Sequence, residues 1–365
     1  MIYISGFVLV FLAARLLISL ANLLTRQWLP PGTPASTPLV SVLIPARNEE
    51  HNIERLLNSL LIQDYPKLEI IVYDDLSEDN TAGLVQRFCD TDERVRLVRG
   101  EVLPGGWLGK NFACHKLSLE AKGSYLLFLD ADVIALPQLI GQAVAFMEKH
   151  RLALLSIFPQ QLMQSFGERI TVPLMTWILV SLLPLKLTRD SRRPSLSAAN
   201  GQFMLFEAEM YRKHSFHMLV KNAAVEDIMI FKQIKHHGLK GHTLLSNGQI
   251  KCRMYKNFDE AVKGFSKNIF YFFGNHPPLA FLFALTTTFG FIPIMLAPGG
   301  HLVLLWIAGE VAVRITVAAA TRQNAILLIL LAPMQQLALI WMVIAAYSVR
   351  TRRQLQWKGR PILEP

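Results

Sequence analysis

The chain has 365 residues, of which 52% are hydrophobic and only 18% are charged, and its formal net charge is +10. Soluble domains carry about 25% charged residues, so the composition argues against a purely soluble protein. The basic residues flank apolar stretches and are not interleaved with aromatics on a nucleic-acid module, so we expect a membrane partner and no nucleic acid. The three cysteines form no C-x-x-C pair, which argues against a zinc site or disulfide framework.

The N-terminal segment 1–25 predicts a retained transmembrane anchor. Its apolar run is broken by Arg15, no basic region precedes it, and no clear cleavage site follows it. Arg26 comes directly afterwards, which favours a cytoplasmic location for the domain that follows. Residues 26–39 are rich in proline and predict a linker.

Residues 40–275 predict one cytoplasmic α/β domain. Alternating apolar runs and helical patterns indicate a Rossmann-like, mostly parallel sheet with helices on both faces, and ligands beyond the carboxyl ends of its strands. The predicted strands are 40–44, 68–73, 95–98, 125–129, 152–158 and 203–206. The predicted helices are 49–62 with Asn48 as its cap, 80–89, 111–121 and 225–236.

Two further segments of this domain predict interfacial helices. Segment 170–187 is apolar but contains Pro173 and Pro184, and segment 259–273 is amphipathic with Lys263 and Lys267 on one side. We therefore expect both segments to lie at the membrane surface.

The C-terminal part predicts a transmembrane region at 279–347, followed by a basic tail at 348–365. Its apolar segments are 279–296, 302–320 and 325–347. The middle segment carries Glu310 and Arg314, whose i, i+4 spacing allows them to pair.

The number of spans stays open. Three spans after a cytoplasmic domain would place the tail outside the cell, whereas its basic residues favour the cytoplasm. Either one segment does not span the membrane or segment 170–187 enters it.

Three acidic groups follow predicted strands or begin a predicted helix. Asp74 and Asp75 can accept hydrogen bonds from a base or ribose, or simply form a turn. Asp130 and Asp132 lie two residues apart and can share Mg²⁺ or Mn²⁺ on one face, or be solvated turn residues. The third group is Glu226 and Asp227.

The pair Glu226 and Asp227 begins a predicted helix. As a functional pair it provides a general base for deprotonating an attacking hydroxyl, with Asp227 as the candidate and Glu226 in support. The alternative is that both residues only stabilise the helix dipole.

Other residues are further candidates for binding the donor or the acceptor. Lys110 begins a helix after a glycine-rich loop and is a candidate for binding a pyrophosphate. Arg253 is a second candidate for binding the diphosphate, with a structural ion pair as the alternative. The candidates for a sugar or acceptor pocket are Trp107, Asn200, Gly201 and Gln202, with a buried Trp and an ordinary turn as alternatives.

The ordered set of motifs resembles the family 2 glycosyltransferases, which have the GT-A fold. The motifs are 41–50, Asp74-Asp75, Gly109-Lys110, Asp130-Ala131-Asp132 and Glu226-Asp227, and the resemblance covers roughly residues 40–275. It implies an inverting, metal-assisted transfer, usually from a UDP-sugar.

The resemblance also assigns roles to residues. Pro45, Ala46 and Glu49 match the edge of the nucleotide pocket, and Asp75 with Asp74 matches the position that contacts uridine. Asp130 and Asp132 match the metal position, with Asp132 preferred as the direct ligand. Asp227 matches the base.

Within this family the sequence is most similar to the carotenoid-acid (4,4'-diaponeurosporenoate) and hopanoid-associated glycosyltransferases. The supporting stretches are 106–110, Ala113-Cys114, 253–255 and 357–360. The resemblance implies a lipid acceptor of the polyisoprenoid type, and with it a multi-pass protein of the cell membrane.

The sequence departs from the processive members, which carry Gln-x-x-Arg-Trp. The stretch from Gln249 to Met254 has different spacing and no Trp, which argues against polymer synthesis. A processive polysaccharide synthase and a non-catalytic sugar-nucleotide-binding membrane protein remain the alternatives.

Overall fold

A computed structural model describes residues 1–298 and 300–352 together with two short strands at 356–357 and 360–361. Arg353, Lys358 and Gly359, from the predicted tail and the stretch 357–360, lie outside the described residues. The chain forms two compact units. The sheet unit comprises Trp28–Gln160, Leu187–Cys252 and Gln356–Pro365, and the helical unit comprises Met1–Gln27, Gln161–Lys186 and Arg253–Leu355.

The strands are numbered in chain order over the described residues. They are β1 Val40–Ala46, β2 Leu68–Asp74, β3 Val95–Arg99, β4 Tyr125–Leu129, β5 Val133–Ala135, β6 Leu154–Phe158, β7 Gln160–Gln161, β8 Phe203–Glu207, β9 Gly241–Leu245, β10 Ile250–Cys252, β11 Gln356–Trp357 and β12 Arg360–Pro361.

The helices are numbered in the same way. They are α1 Ile2–Leu24, α2 Ile53–Leu61, α3 Thr81–Thr91, α4 Gly109–Glu120, α5 Leu139–His150, α6 Phe166–Thr171, α7 Pro173–Leu182, α8 Lys186–Asp190, α9 Ala208–His214, α10 Phe216–Leu219, α11 Glu226–His236, α12 Phe258–Phe265, α13 Pro277–Phe289, α14 Phe291–Leu296, α15 His301–Thr321, α16 Ala325–Leu330 and α17 Ala332–Thr351, with 3₁₀ turns at Pro194–Leu196 and Ile269–Phe273.

The sheet unit is built on a seven-stranded sheet of order β3-β2-β1-β4-β8-β6-β9. Strands β3, β2, β1 and β4 are parallel, and β6 and β9 are parallel to each other. Strand β8 runs antiparallel between β4 and β6, with Leu129 opposite Phe203. The start of β8 therefore lies beside the carboxyl end of β4, where the Asp130 motif begins.

The predicted strands are confirmed, with ends shifted by at most two residues. Central strands buried on both faces read as continuous apolar runs, which explains this agreement. The edge strand β9 and the short pair β5 and β10 were missed, because they are short or partly polar.

The prediction that Asn48 caps a helix from residue 49 is wrong. Helix α2 begins at Ile53, and Asn48 has φ 53°, a left-handed conformation that Asn tolerates. Its Oδ1 accepts a hydrogen bond from the Glu78 backbone N–H at 2.8 Å. Asn48 therefore joins the loops after β1 and β2 instead of starting the helix.

In the helical unit, α1 packs against α7 and α15. Helices α1, α15 and α17 are long and apolar enough to cross a membrane, by length and composition alone. The segments predicted at 279–296 and 325–347 are each broken in two, at Gly290 and at Leu331. Pro293 and Pro333 lie just after these breaks, where proline removes a helical hydrogen bond.

Segments 170–187 and 259–273, predicted as interfacial helices, are also divided. Helix α7 begins at Pro173, and side chains such as Trp177 are buried inside the helical unit rather than exposed to lipid. The second segment is α12 followed by a 3₁₀ turn. The predicted pairing of Glu310 with Arg314 is replaced by a contact between Glu310 and Arg15 of α1, at 3.5 Å.

Candidate active site

Four segments of the sheet unit converge at the carboxyl end of β4. Asp130 and Asp132 follow β4 directly, and the loop 200–202 leads into the adjacent strand β8. The first turns of α4 and α11 contribute the remaining side chains, Lys110 and the pair Glu226-Asp227. The structure thus brings together residues as far apart in sequence as Lys110 and Asp227, as happens at the carboxyl edge of a parallel sheet.

Lys110 connects the Asp130 motif to the helix α11 pair. Its Nζ lies 2.7 Å from Asp130 Oδ1 and 3.0 Å from Glu226 Oε1. Burial alone would lower the pKa of Lys110, but the charges of Asp130 and Glu226 outweigh burial and raise it well above its usual value. Lys110 is therefore a permanent cation between two carboxylates.

Asp227 is held by backbone groups. Its Oδ2 accepts a hydrogen bond from the Gly201 N–H at 3.0 Å, and its Oδ1 accepts one from the Ile228 N–H at 2.7 Å. Burial, followed by the charge of Glu226, raises the pKa of Asp227 to about 7. A fixed carboxylate that titrates near neutral pH has the properties of a general base.

Gly201 lies so close to Lys110 and Glu226 that a larger residue would not fit at this position unless one of them moved. A Cβ at this position would lie 2.9 Å from Lys110 Nζ and 3.1 Å from Glu226 Oε1. Even an alanine would therefore displace the ammonium group from between its carboxylates.

Asp132 is held by a second buried group of polar atoms. Gln202 Nε2 donates to Cys252 Sγ at 2.8 Å and approaches the Asp132 carboxylate at 3.4 Å. Burial, followed by the charge of Asp130, raises the pKa of Asp132 to about 7. Cys252 carries no sequence signal for this position, because only the pairing of β10 with β5, which sets Cys252 opposite Val133, places it beside Asp132.

The residues present fit a divalent cation. The charges of Asp130 and Glu49 both raise the pKa of Asp132, so this edge holds an excess of carboxylate with Lys110 as the nearby cation. Within the described residues no three His, Cys, Asp or Glu side chains are close enough to hold a metal alone. Two carboxylates whose ion completes its shell with phosphate oxygens and water suit Mg²⁺, and carboxylates also suit Mn²⁺.

The predicted nucleotide edge is assembled from the ends of β1 and β2. The Asp75 N–H donates to the Ala46 carbonyl at 2.8 Å, so the two strand ends lie side by side. Arg47, which sequence analysis did not select, donates to the Asp75 carbonyl at 2.6 Å and fixes this loop. Asp74 is buried, and its Oδ1 has no hydrogen-bond partner in the described part of the chain.

The other members of this edge are Pro45 and Glu49. Pro45 is the next-to-last residue of β1, and Glu49 Oε2 accepts from Asn52 Nδ2 at 2.8 Å. The Glu49 charge reaches Asp130 as well as Asp132, which connects the nucleotide edge to the carboxylates of the metal position.

Three of the candidates for a sugar or acceptor pocket contact neighbouring residues of the sheet unit, and their proposed roles stay predictions. Trp107 packs on Phe112 and His115, with ring centroids 5.4 and 5.2 Å away. Asn200 Oδ1 accepts from the Gln202 N–H at 2.8 Å and so shapes its own loop. Gln202 is buried and its Nε2 lies 3.4 Å from Asp132 Oδ2.

Arg253 belongs to the helical unit. Its Nε lies 2.8 Å from Glu168 Oε1 and its Nη2 lies 3.3 Å from Oε2, a bidentate pair with a fully buried carboxylate. This is the structural ion pair that the sequence left open for Arg253.

Comparisons with known proteins concern the fold and the family of the chain. Residues 41–215 match the family described as Glycosyl transferase family 2. The whole chain is similar to the mannosyltransferase PcManGT from Pyrobaculum calidifontis, solved with GDP-Man and Mn²⁺, with a TM-score of 0.60, 18% identity, and coverage of 96% of this chain and 98% of that one. At this identity the likeness shows the fold alone, and the predicted GT-A fold is confirmed.

Two curated relatives match only part of this chain, and only part of their own length is matched. A 4,4'-diaponeurosporenoate glycosyltransferase of Staphylococcus haemolyticus is 27% identical over 243 residues, which are 64% of this chain and 62% of the relative. The UDP-Glc:α-D-GlcNAc-diphosphoundecaprenol β-1,3-glucosyltransferase WfgD of Escherichia coli is 33% identical over 115 residues, 32% of this chain and 43% of the relative. The chain thus spans less than two thirds of either one. The resemblance to carotenoid-acid enzymes is confirmed, and that to hopanoid-associated enzymes stays a prediction.

Proposed function

Because residues 41–215 match the family 2 glycosyltransferases, we propose that this chain transfers a sugar from a UDP-sugar to a hydroxyl or carboxyl group of a membrane lipid, with inversion at the anomeric carbon. The lipid class is supported by relatives whose names specify a carotenoid acid and a diphosphoundecaprenol acceptor. The donor class is supported by the UDP-Glc in the second name. Three helices able to cross a membrane support a multi-pass protein, and the basic flanks favour a cytoplasmic catalytic domain.

The observation that carries the proposal is the position of Asp227. It shares one cluster with Lys110 and the Asp130 motif, linked through Glu226 and Gly201. A base must reach the acceptor while the donor lies on the other side of the reacting carbon. Because α11 and loop 200–202 meet at the end of β4, Asp227 lies near the position proposed for the donor and can face an acceptor on its other side.

The reaction is a direct displacement. The acceptor oxygen bonds to the anomeric carbon as the bond from that carbon to the diphosphate oxygen breaks, and the nucleoside diphosphate leaves with the electron pair. Asp227 takes the proton of an acceptor hydroxyl, whereas an ionised carboxyl acceptor has no proton to lose. The backbone N–H groups of Gly201 and Ile228 hold the base in place.

We assign the donor to the adjoining edge. Pro45, Ala46 and Glu49 border the nucleotide, and Asp74 and Asp75 accept hydrogen bonds from its uridine. Asp132, with Asp130, would hold Mg²⁺ or Mn²⁺, which supplies positive charge for the diphosphate leaving group. Lys110 adds a cation next to Asp130.

The test is transfer of radiolabel from UDP-glucose into extractable lipid by membranes that contain this chain, with carotenoid acids and polyprenyl lipids added. The matched variants are Asp132→Ala in the site and Asp90→Ala on the exposed face of α3. We expect metal-dependent label in the lipid phase for the wild type and Asp90→Ala, and none for Asp132→Ala. Label in an insoluble polymer would indicate a polysaccharide synthase. No label from any nucleotide-sugar would indicate a binding protein.

A further inference from the structure

The helical unit buries an aromatic ring next to two arginines. Trp177 of α7 is 1% exposed, and Arg15 of α1 and Arg314 of α15 are 1% and 3% exposed. The guanidinium carbons lie 4.1 Å (Arg15) and 5.4 Å (Arg314) from the Trp177 ring centroid. We call Arg15, Trp177, Glu310 and Arg314 the Trp177 cluster. Arg15 and Arg314 lie near the middle of helices that could each cross a membrane.

The charges of this cluster do not balance. Arg15 Nη1 lies 3.5 Å from Glu310 Oε1. The bonds described for Arg314 go to neutral acceptors, the Leu328 carbonyl at 2.9 Å and Gln335 Oε1 at 2.7 Å. Because guanidinium groups stay protonated in proteins, two positive charges face one carboxylate. A buried excess charge is unfavourable unless an opposite charge is supplied.

Two hydrogen-bond donors in the same cluster also lack acceptors. Arg15 Nη2 and Trp177 Nε1 are buried and have no hydrogen-bond partner within the described residues. Buried donors in native proteins are nearly always paired, so two unpaired donors on side chains in contact need an explanation. An acceptor group within reach of both donors would satisfy them, and the surplus positive charge favours a group that carries a negative charge.

We propose that the Trp177 cluster binds the oxyanion of a membrane amphiphile, either a carboxylate or a phosphate. Arg15 Nη2 and Trp177 Nε1 donate to the oxyanion, and Arg314 balances its charge. An ion pair accounts for Arg15 with Glu310, and the Leu328 and Gln335 oxygens hold Arg314, but these contacts leave two donors unpaired and the second positive charge without a carboxylate of its own. The proposal rests on the helical unit alone and does not depend on the activity proposed for the sheet unit.

The experiment measures binding of four probes to the purified full chain in a neutral detergent. Oleate and dioleoyl phosphatidate carry the two oxyanions, and oleyl alcohol and dioleoylglycerol are their neutral counterparts. Binding is followed by native mass spectrometry and by the shift in the thermal unfolding midpoint. We expect at least one anionic probe to bind about tenfold more tightly than its neutral counterpart, as hydrogen bonds to a charged group require. The tighter anion then identifies the carboxylate or the phosphate as the ligand.

Two variants test the site itself. Trp177→Phe keeps the aromatic ring and removes the N–H donor, and we expect it to weaken binding of the anion about tenfold. Trp341→Phe is the matched control, because Trp341 lies on α17 and is 58% exposed, and it should bind like the wild type. Arg314→Gln should remove the preference for the anion over the neutral probe.

The proposal is overturned if anionic and neutral probes bind the wild type equally. It is also overturned if Trp177→Phe and Trp341→Phe bind the anion with the same affinity. Because Trp177→Phe leaves a cavity in the core, the affinity of both tryptophan variants for the neutral probes is measured as well, and only a loss confined to the anion supports the N–H donor.

Discussion

The sheet unit and the helical unit each bury a small group of charged side chains, and the two groups differ in sign. In the sheet unit, carboxylates surround Lys110 at the end of β4. In the helical unit, two guanidinium groups face Glu310 around Trp177. Buried charges need partners, so each imbalance indicates the sign of the ligand that completes the group. The sheet unit fits a cation and the helical unit fits an anion.

The two groups also differ in what holds them. At the ends of strands and helices backbone N–H groups are unpaired, and Gly201 and Ile228 use theirs to fix Asp227. In the middle of α1 and α15 the backbone N–H and C=O groups are already paired within the helices. The contacts described for Arg15 are therefore with side chains, such as the Ser181 hydroxyl and the face of the Trp177 ring. The geometry of the charged group therefore depends on backbone N–H groups in the sheet unit and on side-chain packing in the helical unit.

The largest expected effect comes from Asp227→Asn. Loss of a general base should lower the transfer rate to a hydroxyl acceptor by about 10²- to 10⁴-fold, while binding of the UDP-sugar is retained. With an ionised carboxyl acceptor the loss should be much smaller, since no proton must be removed. Initial rates with both acceptors and equilibrium binding of UDP measure these effects.

Asp90→Asn is the control for this substitution, because Asp90 is an exposed aspartate on α3. Normal turnover of Asp227→Asn with a hydroxyl acceptor would disprove the assignment of the base.

In the helical unit the corresponding disruption is Arg15→Met, which leaves Glu310 without its ion-pair partner. Removing one member of a buried pair costs about 3 kcal/mol or more, whereas replacing both members is often nearly neutral. We therefore expect Arg15→Met to lower the thermal unfolding midpoint in detergent, and Arg15→Met combined with Glu310→Met to restore most of it. If the double variant unfolded at the same temperature as Arg15→Met, the ion pair with Glu310 would not be the source of the stability that Arg15 provides.

Much of the sheet unit could be predicted from the sequence, because its central strands are apolar runs that end at acidic motifs. The positions of Asp130 and Asp132 followed from the rule that ligands bind at the carboxyl ends of parallel strands, whereas Asp227 was selected as an acidic residue in the first turn of a predicted helix. Cys252 and the Gly201 contact could not be predicted. They depend on which strands are neighbours, and the antiparallel insertion of β8 is not encoded in local periodicity.

The helical unit was predicted less well, for a physical reason. Apolar periodicity does not distinguish a lipid-facing helix from one buried in protein, so the burial of α7 was missed. The spacing of Glu310 and Arg314 suggested a pair within one helix, whereas tertiary packing gave Glu310 a partner on α1. Long-range contacts decide such cases, and a single sequence does not display them.

Gly201→Ala should have a smaller effect than loss of the base. The new Cβ would displace the flexible end of Lys110, so stability should hardly change. The rearranged ion pairs should lower transfer by about 10- to 100-fold, the range expected when catalytic groups move by about 1 Å. Gly105→Ala is the matched control, because a Cβ there meets nothing within 4 Å. Equal activities of the two variants would show that the contact with Lys110 does not matter.

The smallest expected effect is a shift in pH dependence. The base must be deprotonated to act, so kcat/KM for a hydroxyl acceptor should rise with pH through about 7, the pKa of Asp227. The charge of Glu226 contributes to this raised pKa after burial, so Glu226→Gln should move the rising limb to lower pH. Burial is the larger cause and is unchanged, which keeps the limb above the usual pKa of an aspartate. A limb that did not move, or moved to higher pH, would show that a group other than Asp227 governs the profile.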